Sequence, residues 1–275
     1  MKKYTNMIIH YLVMGLLTAL FLFPLLWMLV SSFKGQRAIF DDLYTGFGAF
    51  WPTEVTLENY RAVFERIPLL HYLSNSIIVA GGRVGLGLLV NAMAGYGFAR
   101  MKFPGKTLIF TAIIAIVILP FESIVLPLFL IVKNFGWLDS YVVLIVPFIG
   151  HALSIFLFRQ FFLTIPKELE EAARIDGCGV FKTFFYIIVP SSKPVFATAA
   201  IMTFTGAWND FLWPLIAVTD RQYYTIQLGI QSFFTEPPIY YGQILAALTL
   251  ASLPMLLFFL ALQRYFVEGL AGMGK

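Results

Sequence analysis

From Ile8 to Val30 the chain carries no Asp, Glu, Lys or Arg, and five later stretches are nearly as apolar. In hydrocarbon, every backbone N–H and C=O must find its partner within the protein, which leaves helices or a closed barrel. About 20 apolar residues cross a bilayer as a helix. The runs predict spans at roughly 8–32, 73–98, 107–131, 140–161, 194–218 and 241–264, with Arg83 and Glu122 inside the second and third. A barrel would need alternating strands of about ten residues, and the sequence lacks them. Of the 275 residues, 59% are hydrophobic and 12% charged, where a soluble domain carries about a quarter. The expected fold class is an all-α membrane protein, a single transmembrane domain over 1–275 without internal repeat or second soluble domain. The first run is too long for a signal-peptide core and lacks a small-residue cleavage site, so it reads as an uncleaved span.

Charge sets orientation. With the N-terminus inside, the inner segments hold Lys2, Lys3, Arg100, Lys102, Lys106, Arg159, Lys167, Arg174, Lys182, Lys193, Arg264 and Lys275. The outer ones hold Lys34, Arg37, Arg61, Arg66, Lys133 and Arg221. This asymmetry predicts cytoplasmic N- and C-termini. The basic residues form no stripe, so nucleic acid is not an expected partner, whereas membrane lipid is. A lone cysteine, Cys178, excludes an internal disulfide.

The longest inner loop, 162–193, is the polar exception. Its "TIPKELEEAARIDG" has Pro166 at a helix start, acids Glu168, Glu170 and Glu171 in the first turns, and Arg174 near the end, all matching the helix dipole. Gly177 suits a left-handed C-cap. Leu169, Ala172, Ala173 and Asp176 fall on one small, mostly apolar face. Phe181, Phe184, Phe185 and Ile188 repeat that spacing before Pro190. Two short helices at an angle would form a knob. Such a knob docks into a partner's groove, or it is only an interfacial connector; periodicity does not decide.

At these residues the chain resembles a known family. Glu171-Ala172-Ala173, then Gly177, then Ile187-x-Val189-Pro190 is similar to the "EAA" signature of ABC importer permeases, with Val189 where the family has Leu. "NSIIVA" at 75–80, "GYGFARMKFPGK" at 95–106, "WNDFLWPL" at 208–215 and "QRYFVEGLAGMGK" at 263–275 extend the likeness to carbohydrate-uptake permeases of the maltose and glycerol-3-phosphate types. The resemblance implies a six-span type I importer permease in a bacterial or archaeal plasma (inner) membrane. It implies partners: a second, different permease subunit, two ATPase subunits and an extracytoplasmic substrate-binding protein. ATP and Mg would sit on the ATPases, with no cofactor on this chain, which has no G-x-x-x-x-G-K-[ST] of its own. The loop would be a coupling helix, with Glu171 making a polar contact, Gly177 permitting the bend, and Ala172, Ala173, Asp176 and Pro190 completing the motif.

Ionisable residues within spans are functional suspects. Glu122, between Pro120 and Pro127, lines a cavity opened by a kinked helix, or stabilises a helix pair near the interface. Trp208, Asn209, Asp210 and Trp213 mix aromatic faces with hydrogen-bonding groups, as a sugar pathway needs; alternatively they pack and cap the fifth span. Arg83 reaches the interface, pairs with an acid on a neighbouring helix, or meets a phosphate; glycines 81, 82, 85, 87, 95 and 97 permit close packing around it. His10, His71 and His151 are too scattered for a metal site. The aromatic outer loop from Trp51 to Tyr60 faces a binding protein or covers the bundle. A sugar permease, or one for glycerol-3-phosphate or another polyol, is therefore weighed against an intramembrane enzyme using Glu122 and Asp210, and against a membrane anchor.

Overall fold

The computed structural model describes residues 2–45, 47–52 and 54–273. Thr53 of the outer loop, and Gly274 and Lys275 at the end of the 263–275 stretch, lie outside the described residues. Among those described, the regular structure is helical throughout. The helices are α1 (Lys2–Ser31), α2 (Ala38–Asp41), α3 (Glu58–Arg66), α4 (Leu69–Arg100), α5 (Lys106–Ala115), α6 (Phe121–Asn134), α7 (Tyr141–Ile145) and α8 (Ala152–Thr164). They continue as α9 (Glu168–Ile175), α10 (Val180–Thr183), α11 (Val189–Ser191), α12 (Lys193–Trp208), α13 (Leu212–Ala217), α14 (Ile226–Thr235) and α15 (Tyr241–Met273).

Among the described residues three helical stretches are long and apolar enough to cross a membrane: Asn6–Ser31, Leu69–Arg100 and Tyr241–Arg264. Three bent pairs would raise the number to six: Lys106–Ile118 with Phe121–Asn134 at 107°, Tyr141–Phe148 with Ala152–Thr164 at 44°, and Val180–Ser191 with Lys193–Trp208 at 82°. The first break lies where Pro120 forces Leu119 into an extended conformation, φ −75° and ψ 123°. At the second, Asn91 of α4 accepts from the His151 N–H at 2.9 Å and donates to the Ile149 carbonyl at 3.0 Å. One buried amide thus satisfies both a donor and an acceptor freed by the break, as a low-dielectric setting demands.

The chain divides into two compact units. One comprises the chain up to His71 together with Gly229–Leu253. In it Asn59 donates to the Ser32 and Lys34 carbonyls at 2.9 and 2.8 Å, and fully buried Lys34 pairs with Asp42 at 2.9 Å. Arg66 stacks over Phe233 and donates to the carbonyls of Ser232, Glu236 and Pro238 at the end of α14.

The other unit runs from Tyr72 to Leu228 and resumes at Pro254. Two core clusters stand out among its described residues. Val79, Val132, Val143, Leu144, Trp213, Ala217 and Val218 form one. Tyr96, Phe158, Phe162, Phe184, Ile188 and Val195 belong to the other. Helix α4 contributes to both, Val79 to the first and Tyr96 to the second.

A clasp outside the apolar segments holds this unit's loops. Asp139 adopts φ 52°. Its carboxylate accepts from Thr219 N at 2.6 Å, Asp220 N at 2.8 Å and Thr219 Oγ1 at 2.9 Å. The Asp220 N–H above all holds the Asp139 carboxyl below the usual carboxylate range; desolvation opposes it, and the Thr219 N–H and hydroxyl add to the lowering. A depressed folded pKa means that the stabilisation is complete above the unfolded value of about 3.9 and disappears as pH falls through the folded one. Asp139→Asn, which tolerates the same left-handed backbone, is expected to unfold at a lower temperature than wild type at neutral pH. That gap should close below about pH 4; a gap independent of pH, measured by thermal unfolding of the purified protein, would refute the charge argument.

Candidate functional site

In α9 the first turn carries Glu168, Glu170 and Glu171 and the last carries Arg174. Gly177 has φ 77°. Its N–H bonds the Arg174 carbonyl at 3.0 Å, and the Cys178 N–H bonds the Ala173 carbonyl at 2.8 Å. This pairing closes the helix end and requires a left-handed residue there.

The buried face of α9 cuts across the small, mostly apolar face read from the sequence. Glu170 and Ala173 are its only buried residues, whereas Leu169, Ala172 and Asp176 are exposed. The reason is a buried partner for a carboxylate. Arg100 Nε, at the end of α4, lies 2.6 Å from Glu170 Oε1, as an ion pair whose angle falls outside that of a hydrogen bond. The Tyr96 hydroxyl donates to Glu170 Oε2 at 3.1 Å. Arg100 also donates to the Ile165 carbonyl. Glu171, Ala172, Arg174, Ile175 and Asp176 therefore face outward; Ile175 is 86% exposed.

In the second half of the loop the apolar stripe is likewise divided between interior and surface. Phe184 and Ile188 are buried beneath α4 and α8, while Phe181 and Phe185 are exposed. Phe184–Ile188 forms a π-turn, whose wider winding shifts side chains away from the 3.6-residue stripe. Tyr96 lies with its ring centroid 5.2 Å from that of Phe184 and 6.1 Å from that of Phe162. Of the motif residues, then, Glu171, Ala172, Asp176, Gly177 and Pro190 are exposed, and Ala173 packs underneath.

The residues after α12 belong to a different arrangement. Arg83 on α4 donates to Asp210 Oδ2 at 2.8 Å and to the Leu144 carbonyl at 2.6 Å. Its guanidinium lies 3.9 Å from the Phe148 ring centroid. Both side chains are largely buried, 5% and 15% exposed. Of the sequence alternatives for Arg83, pairing with an acid on another element is the one realised. Trp213 is fully buried, with its indole N–H on the Val143 carbonyl at 2.9 Å. Trp208 is buried and stacks on Phe204. These two tryptophans pack the bundle here and offer no free face to a sugar. Asn209 is exposed, its amide on the Thr205 carbonyl at 3.0 Å.

Glu122 is exposed in the first turn of α6. A groove of about 370 Å³ does open beside the break, lined by Phe121, Pro127, Phe148 and His151 among others, but Glu122 is not one of its walls. An acid–base pair of Glu122 and Asp210 would need a free carboxylate at Asp210, and Arg83 occupies it. Arg100, Tyr96, Asn91 and Ile175 were not singled out in the sequence. Arg100 stood there only as one of many inner cations.

Comparison with known proteins bears on this geometry. The family model for "Binding-protein-dependent transport system inner membrane component" matches residues 85–272. The chain is 32% identical over 274 residues to the arabinooligosaccharides transport system permease protein AraQ of Halalkalibacterium halodurans, covering 98% of both chains. It is 33% identical to the lactose transport system permease protein LacG of Rhizobium radiobacter, over 98% of this chain and 96% of that one. It is 34% identical to the sn-glycerol-3-phosphate transport system permease protein UgpE of Salmonella choleraesuis, over 96% and 95%. A bacterial ABC transporter that imports the acidic polysaccharide alginate has a chain of the same fold, with TM-score 0.83, 18% identity, and 96% and 98% coverage.

Proposed function

Because the chain belongs to the binding-protein-dependent transport system inner membrane components, we propose that it forms half of the translocation pathway of a sugar importer and couples it to ATP hydrolysis through α9. Members of the family are non-catalytic permease subunits of the inner membrane, served by ATPase and substrate-binding partners. The finer assignments are ours: a second, different permease, two ATPase subunits carrying ATP and Mg, and both termini in the cytoplasm. The observation that carries the coupling role is the form of the loop. Helix α9 is anchored from below by Glu170 and Ala173 and presents Glu171, Ala172, Ile175 and Asp176 outward. ATP-driven closure of the ATPase pair would move this knob and rock the helices between inward-open and outward-open forms.

An oligosaccharide is the proposed substrate, supported by the names of two relatives of nearly full coverage. Glycerol-3-phosphate is the second reading, favoured by a third. A phosphate needs an available cation, and Arg83, in the middle of α4, is already neutralised by Asp210. Glu122, Asn209 and Asp210 remain the proposed pathway groups, with Trp208 and Trp213 acting through packing.

The test is ATPase activity of the complex assembled with the partners encoded beside this chain. The binding protein is supplied with arabino-oligosaccharide, lactose or glycerol-3-phosphate. Stimulation by a sugar is expected; stimulation by glycerol-3-phosphate alone would overturn the sugar assignment. In the same assay Glu171→Lys, and Gly177→Val, a β-branched residue at a left-handed position that costs about 1–2 kcal/mol, are expected to reduce stimulation severalfold while the complex still forms. Indifference to both would remove α9 from the coupling route.

A further inference from the structure

We propose that Arg100, Glu170 and Tyr96 form the joint that passes movement of α9 into α4, making Arg100 and Glu170 positioning residues for ATP-driven transport. The inference rests on the reading of α9 as the element that docks on the ATPase. Of the eight residues of α9, only Glu170 and Ala173 are buried. Alanine offers a small, non-directional contact. Beyond the backbone at its two ends, the directional side-chain route from the exposed face of α9 into α4 is therefore the Glu170 carboxylate. That group meets Arg100 at 2.6 Å and Tyr96 at 3.1 Å, one turn apart on the same helix. The ion pair is 8% and 7% exposed. An apolar contact of similar size would hold the loop down as well, because desolvation offsets much of what a buried ion pair gains. What the charges add is a fixed direction and register between the two helices.

The geometry of α4 extends the joint. At 1.5 Å per residue its 32 residues form a rod of about 48 Å. Arg83 lies about 26 Å along it from Arg100 and grips Asp210, at the break between α12 and α13. One rod thus holds a buried cation at each of two levels, each paired with a carboxylate on another element. Displacement of α9 would tilt α4 and load the Asn209–Trp213 break.

The experiment uses the assembled transporter in lipid, in a Cys178→Ser background. Ile175→Cys carrying a benzophenone maleimide reports docking by photo-crosslinking to the ATPase. The ratio of stimulated to basal ATP hydrolysis reports coupling. The stimulus is the substrate-binding protein with lactose or arabino-oligosaccharide, whichever activates wild type. Glu170→Gln and Arg100→Gln are expected to retain the crosslink while the ratio falls by on the order of tenfold, with a smaller fall for Tyr96→Phe. The exchange Glu170→Arg with Arg100→Glu should recover much of the loss, which a merely destabilised loop would not do. A retained crosslink with an unchanged ratio in the single variants overturns the joint. Failure of the parent Ile175→Cys protein to crosslink overturns the docking reading beneath it. Should the charge variants not assemble, Tyr96→Phe decides: a reduced ratio supports the joint, an unchanged one overturns it.

Discussion

Asp210→Asn is expected to destabilise the folded chain by about 3–5 kcal/mol, because it leaves a buried guanidinium without its counter-charge. The substitution keeps the shape of the side chain, so the loss isolates the charge. Arg83 would retain the Leu144 carbonyl and the Phe148 ring, and neither carries a full negative charge. Replacing both partners, Arg83→Met with Asp210→Leu, should cost much less than either single change, because no unpaired ion remains. A double-mutant cycle on the thermal unfolding of the purified protein measures the difference. Additive effects would show that the pair is not the source of the cost. Because Asp210 Oδ1 also accepts from the Trp213 N–H at 3.4 Å, the same variants should loosen the break that carries Asn209.

At Gly95 one methyl group suffices. A Cβ there would lie 2.6 Å from Phe158 Cβ, 3.0 Å from Arg159 N and 3.2 Å from the Ile155 carbonyl oxygen. These are backbone and Cβ atoms of α8, which no rotamer change can move aside. Gly95→Ala is therefore expected to force α4 and α8 apart at a cost of about 3 kcal/mol or more, at the upper end for overpacking. Gly81→Ala and Gly85→Ala are the controls. They meet nothing within 4 Å and should gain about 0.5–1 kcal/mol from reduced chain entropy in the helix. Thermal unfolding and yield of assembled complex report both outcomes. Equal effects at 81 and 95 would refute the close-approach argument.

These glycines also show where sequence reasoning stopped. The cluster at 81, 82, 85, 87, 95 and 97 reads as a packing stripe, yet Gly81, Gly85 and Gly97 face no close neighbour. Composition shows that backbones can approach; only the course of α8 shows where they do. The loop behaves likewise. Its helix ends were legible because Pro166, the acids, Arg174 and Gly177 act on their own few residues of backbone. Which face is buried was not legible, because Glu170 sits inside on account of Arg100, 70 positions earlier in the sequence.

Alone, the sequence determined the all-helical, membrane-spanning character of this protein, the α9–Gly177 turn and the family to which it belongs. Those follow from apolar runs of bilayer length and from local backbone preferences, which depend on near neighbours. The tertiary structure decided what each buried charge does. It gave Asp210 to Arg83, gave Glu170 to Arg100 and Tyr96, and used Trp208 and Trp213 as packing. A charge in a low-dielectric interior is governed by which opposite charge reaches it, and that depends on how helices distant in sequence come together.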